Sequence, residues 1–120
     1  MNPFLKSFAY AFNGIRLSLR QRNMRILVGC AVLAILSGFL LHITITEWCF
    51  ILLCIGIVIA LEIINTSIES LVNLAEPDFN PLAGKIKDLS AGAVLLFSAI
   101  SGVIGVMIFG KYILDLLNTY

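Results

Sequence analysis

A chain of 120 residues has room for one domain, but with 60% hydrophobic and 12% charged residues it does not suit a water-soluble one, in which about 25% of residues are charged. Its long apolar runs make it an integral membrane protein. The formal net charge of +1, with no basic patch interleaved with aromatics, argues against nucleic acid as a partner.

The first 22 residues form a unit of their own. Asn2 and Pro3 suit a helix start. Phe4, Phe8, Phe12, Ile15 and Leu19 recur at three- and four-residue spacing, with Lys6, Asn13, Arg16 and Arg20 mostly opposite. This pattern predicts an amphipathic helix lying in the membrane interface. It serves as a juxtamembrane anchor or as a wall of a lipid access site. No signal-peptide pattern is visible, because the first apolar run starts only at Ile26 and lacks a small-residue cleavage site.

Three spans follow: residues 24–41, 47–74 and 88–113. Thr46 with Glu47 looks like the cap of the second. From Glu76 to Lys87 a short loop is expected, broken by Pro77 and Pro81 and turned at Gly84. Cys30, Cys49 and Cys54 have no metal-ligand spacing and read as small buried hydrophobes. His42 reads as a residue of the outer loop. Lys and Arg placement sets the orientation. Lys6, Arg16, Arg20, Arg22 and Arg25 precede the first span, and Lys85 and Lys87 precede the third, whereas the loop around 42–47 has neither. The N-terminus and the second loop are therefore expected in the cytoplasm and the C-terminus outside. The expected fold class is all-α: an N-terminal amphipathic surface helix plus three transmembrane helices.

The second span holds the most unusual residues. Glu62, Asn65, Thr66 and Glu69 fall on one face of a helix with about 100° per residue. An ionisable group in a span costs about 2.5–3.5 kcal/mol on insertion scales. Interhelical hydrogen bonding accounts for Asn65 and Thr66 better than for two glutamates. From Glu47, Glu62 lies about 22 Å along the helix and Glu69 about 33 Å, close to the cytoplasmic surface. One carboxylate thus sits near lipid headgroups and the other reaches solvent. That arrangement suits a reaction between a lipid head and a soluble cosubstrate, with ATP and Mg²⁺ as natural partners of the outer carboxylate. Asp88 has a bland explanation at a helix start. Lys85 and Lys87 are either positive-inside anchors or phosphate clamps. No GxxxxGK[ST] loop is present.

The stretch ALEIINTSIESLV, followed by AGKIKDLSAGAVLL, closely resembles the prokaryotic diacylglycerol kinase family, which includes the undecaprenol kinases. The likeness extends to KSF and NGI in the first segment, RNMRI before the first span and EW at the start of the second. It implies a homotrimer of three-span subunits in the bacterial inner membrane that transfers the ATP γ-phosphate to a lipid hydroxyl at the cytoplasmic face. By position Glu62 matches the family's catalytic base and contact to the lipid substrate, and Asn65 a supporting catalytic residue. Glu69 matches the carboxylate for metal and nucleotide. Tyr10, Lys87 and Asp88 match nucleotide contacts, as do Asp78, Phe79 and Asn80 in the loop. Two departures stand out. Gln21 replaces a glutamate that completes the family's metal site; its amide oxygen can ligate a cation without adding charge, so either metal affinity falls or another acid such as Glu76 substitutes. Asn73 replaces the motif's last aspartate. The rival readings are an ion or proton transporter using the same glutamates, and a catalytically weakened structural homologue.

Overall fold

The computed structural model describes residues 2–120. Its elements are four helices: α1 (Pro3–Ser18), α2 (Arg22–Leu41), α3 (Ile45–Ala75) and α4 (Pro81–Thr119). Met1, which belongs to the expected surface unit, lies outside the described residues. The chain is an all-α membrane protein. α2, α3 and α4 are long and apolar enough to cross a bilayer.

Local chemistry sets most helix ends. Asn2 Oδ1 accepts from Phe4 N–H at 2.9 Å ahead of Pro3, as expected. α2 ends on His42, whose left-handed backbone (φ 53°) turns the chain towards α3. Histidine is among the side chains found more often in that region.

Two expected boundaries are corrected. The cap of α3 is Thr44, not Thr46. Thr44 Oγ1 accepts from Glu47 N–H at 3.2 Å, and Glu47 Oε1 accepts from Thr44 N–H at 3.4 Å. A reciprocal capping box needs a three-residue offset, which Thr44 has and Thr46 lacks. The second loop is shorter than expected. α3 ends before Glu76–Pro77, but Pro81 starts α4 instead of breaking it. Asn80 Oδ1 accepts from Leu82 N–H at 2.9 Å, and proline at the first helical position lacks only an N–H that has no helical partner there. Gly84 therefore lies inside a helix and turns nothing. Lys85, Lys87 and Asp88 ride on a helical extension of the third span.

At 1.5 Å per residue α3 is about 46 Å long and α4 about 58 Å, against a hydrocarbon core of about 30 Å. Both project well beyond it. α3 packs most extensively on α4, α2 packs on α3, and α1 touches α3. Few side chains are buried. Ile43, Ile51 and Ile108 form a small core near the α2–α3 turn, with Trp48 and Tyr112 against it. Gly38 makes room there, because a Cβ on it would come within 2.7 Å of the Trp48 ring. Most large apolar side chains face outward, as expected where lipid is the solvent. Cys54 is buried, but Cys30 and Cys49 are exposed. This corrects the expectation that all three are buried, since a lipid-facing position suits a small apolar side chain equally well.

Candidate functional site

α3 carries its polar face from the bundle interior to its free end. Glu62 is 5% exposed, among the most buried polar side chains of the described residues. Asn65 and Thr66, one turn on, are half-buried, and Glu69, two turns on, is exposed. Burial within the chain therefore falls along this face from Glu62 to Glu69. The 3.6-residue repeat holds the four on one face, and Glu62 and Asn65 on that face share a recess with residues of α4.

Glu62 and Asn65 line a recess of about 290 Å³ between α2, α3 and α4. Two further polar side chains line it, Asn23 of α2 and Ser98 of α4. Ile26, Leu27 and Val94 are among its apolar walls. Sequence reading singled out neither Asn23 nor Ser98 as a site residue. Asn23 carried a signal in RNMRI, where a neutral amide follows a charged residue at the mouth of a span. Ser98 carried none, because a serine within an apolar run most often bonds its own helix.

The remaining expected site residues scatter around this recess. Ala91, Val94 and Ser98 line it, and Lys87, half-buried, stands one turn before Ala91 on the same face of α4. Asp88 does not share that face. With Lys85, Leu89 and Gly92 it lines a separate surface hollow. The structure thus parts the expected Lys87–Asp88 pair by about 100° around α4. Gln21 is the N-cap of α2, exposed, and its side chain makes no capping bond, so its amide oxygen is free. Tyr10 projects from α1 at 73% exposure. Asp78 and Phe79 are fully outward in the loop, whereas the Asn80 side chain is committed to capping α4.

A metal ion would have to be held with few protein ligands. Among the described residues no three His, Cys, Asp or Glu side chains converge. Glu69 is exposed, and the one ion pair among the described residues joins Lys111 and Glu47 instead. An exposed carboxylate such as that of Glu69 suits Mg²⁺, which takes one or two carboxylates and completes its octahedron with water and substrate phosphates.

A second polar cluster occupies the opposite end of the bundle and was not expected from the sequence. Glu47 Oε1 accepts from Tyr112 O–H at 2.7 Å and from Thr44 O–H at 2.9 Å. Lys111 Nζ lies 3.3 Å from Oε2 as an ion pair, without the alignment of a hydrogen bond. It also stands 5.1 Å from the Tyr112 ring centroid. The carboxylate caps α3 and ties it to α4.

Comparison with known proteins bears on the first cluster. Residues 9–109 match the family model described as prokaryotic diacylglycerol kinase. The undecaprenol kinase of Bacillus subtilis (strain 168) is 42% identical over 110 residues, covering 91% of this chain and 89% of that protein. A diacylglycerol kinase of Synechocystis sp. is 36% identical over 103 residues, covering 84% of this chain and 59% of that protein. One from Helicobacter pylori (strain ATCC 700392 / 26695) is 30% identical over 112 residues, covering 92% and 84%.

Proposed function

This chain belongs to the prokaryotic diacylglycerol kinase family and is a lipid kinase, and we propose that it transfers the γ-phosphate of ATP directly to the hydroxyl of a membrane lipid. The acceptor is diacylglycerol, giving phosphatidic acid, or undecaprenol, giving undecaprenyl phosphate. The observation that carries the reading is the Glu62 carboxylate, 5% exposed in a recess between three membrane helices. A charge is retained at such depth only for a reason, and a base for a hydroxyl that never leaves the bilayer is one.

In this mechanism Glu62 accepts the hydroxyl proton as the lipid oxygen bonds to the γ-phosphorus. The bond from that phosphorus to the β,γ-bridging oxygen breaks, and ADP leaves into the cytoplasm. Asn65 and Asn23 orient the hydroxyl by hydrogen bonding. Lys87, on the recess side of α4, stabilises the charge spread over the transferring phosphoryl oxygens. Tyr10, Asp78, Phe79, Asn80 and Asp88 surround the nucleotide. Glu69, with the amide oxygen of Gln21, would hold Mg²⁺, which when bound neutralises phosphate charge. The chain works as a homotrimer in the bacterial inner membrane, with its N-terminus and catalytic face cytoplasmic and its C-terminus outside.

Labelled ATP and the purified protein in lipid test this. Transfer of label to a lipid alcohol is expected from the wild type. Glu62→Gln should lower kcat by about 10²–10⁴-fold, the usual worth of a positioned base. Wild-type turnover by that variant would remove Glu62 from the role of base.

A further inference from the structure

The helices have few polar ties to one another, and these meet at one carboxylate. Tyr112 O–H donates to Glu47 Oε1 across 65 residues. Every other side-chain hydrogen bond among the described residues joins positions five or fewer apart. The one ion pair among them, Lys111 with Glu47, uses the same carboxylate. Glu47 is 8% exposed, and Tyr112 packs against the core of Ile43, Ile51 and Ile108. α3 and α4 are thus clasped at the Glu47 end, and no side-chain hydrogen bond joins them elsewhere.

The rest of α4 does little to fix its rotation about its own axis. Of its residues only Ile108 is buried. Towards its other end Ala91, Ser98, Ser101, Gly102 and Gly105 line the hollows between it and the neighbouring helices. A Cβ on Gly102 or Gly105 would meet nothing within 4 Å, and the buried Ser101 hydroxyl has no hydrogen-bond partner. Small side chains over open space do not interlock. Burial does not choose a face for α4 either, because lipid tails are as apolar as a neighbouring helix.

That rotation decides which charge lies on the recess side. Half-buried Lys87 stands one turn before Ala91, which lines the recess, whereas Asp88 lines a surface hollow. A turn of about 100°, the step of one residue, would exchange the cation for a carboxylate. Resting on the lipid-kinase reading, in which Lys87 stabilises the transferring phosphoryl group, we infer that Glu47 and Tyr112 are positioning residues for the reaction at the opposite end of the bundle. Their clasp holds the rotation of α4 that keeps Lys87 on the recess side. Tyr112 and Lys87 lie about 38 Å apart on one unbroken helix, and a rigid element carries such a setting along its length.

Three measurements test the clasp. The first takes Tyr112→Phe in bilayers, at a temperature where circular dichroism shows wild-type helicity. Its kcat should fall about tenfold, as expected when a group that acts in the transition state is misplaced, with little change in KM for ATP or lipid. Glu47→Gln keeps an acceptor for the Tyr112 hydroxyl and for the capping box, and should retain most of the activity. The second repeats Tyr112→Phe in a Lys87→Met background, where it should lower kcat no further. Losses at sites this far apart normally add, so a merely structural effect would lower kcat by the same factor again. The third needs no activity. With p-benzoylphenylalanine in place of Ala91, irradiation should give adducts to α2 or α3, and Tyr112→Phe should divert them to lipid. Unchanged kcat, additive losses, or an adduct pattern held constant by neighbouring copies of the chain would each overturn the clasp. Failure of the wild type to phosphorylate any lipid alcohol would instead overturn the lipid-kinase reading, and the adduct pattern alone would then decide whether the clasp orients α4.

Discussion

Single side chains carry the chemistry, and their environments separate roles that their identities do not. Glu47, Glu62 and Glu69 are the same residue type on one helix. The first is tied down by Tyr112, Thr44 and Lys111, the second is buried in a recess, and the third is exposed without an ion-pair partner among the described residues. Only the last has a free carboxylate facing solvent, so metal dependence should respond to changes around it. Replacing Gln21 by glutamate adds a second negative charge, and half-maximal activity should then need several-fold less Mg²⁺. An unchanged magnesium titration would exclude position 21 as a ligand. Asn80 has a structural role in capping α4 besides the one proposed for it at the nucleotide. Asn80→Ala should lose about 1 kcal/mol of stability as a missing cap, whereas Asn80→Asp keeps the cap and the stability. Equal melting temperatures for the two variants would refute the capping role.

At the scale of elements, α3 and α4 are joined at both ends by different means. At the Glu62 end they leave a recess; at the far end Glu47 and Tyr112 fasten them. Tyr112→Phe removes one hydrogen bond to a carboxylate, which should destabilise the bundle. Chemical unfolding in detergent would register it as a lower midpoint, and an unchanged midpoint would show the contact to be incidental. The α2–α3 contact rests on shape instead. Gly38→Ala places a methyl group where the Trp48 ring now lies, and overpacking of this kind typically costs about 1–3 kcal/mol. Trp48 fluorescence should shift in that variant. Retention of both the spectrum and the stability would mean that the ring moves freely aside.

For the whole molecule the decisive feature is how little of it is buried. Three long helices enclose a small core, and their outward faces carry Leu33, Leu36, Leu53 and Leu95. Lipid covers such faces without penalty, and so would other copies of the chain. The homotrimer proposed above should appear as a three-rung ladder on brief cross-linking of membranes. A fully active protein that never cross-links beyond the monomer would exclude it. Accessibility of added tags, one before Met1 and one after Tyr120, would check the orientation, with the N-terminal tag protected in intact cells and the C-terminal tag exposed. The reverse pattern would invert the placement of the site.

Composition and periodicity determined that the chain is an all-α membrane protein with one polar helix face. The reason is that hydrocarbon length and a 3.6-residue repeat are properties of the sequence itself. The start of α1 at Asn2–Pro3 was legible for the same reason, as a contact between near neighbours. The Thr44–Glu47 box was equally local, but its three-residue offset had to be matched to the right threonine. The meaning of Pro81 depended on whether its neighbour caps or unwinds, which the dipeptide alone leaves open. Tertiary structure alone decided what shares space with Glu62. Asn23 and Ser98 come from helices far along the chain and meet it only because α2 and α4 pack against one side of α3. It also decided that Asp88 lines a surface hollow that Lys87, adjacent in sequence, does not, and that Glu47 finds Tyr112 across 65 residues. Contacts of that range follow from how three apolar faces fit together, and no single segment encodes that fit.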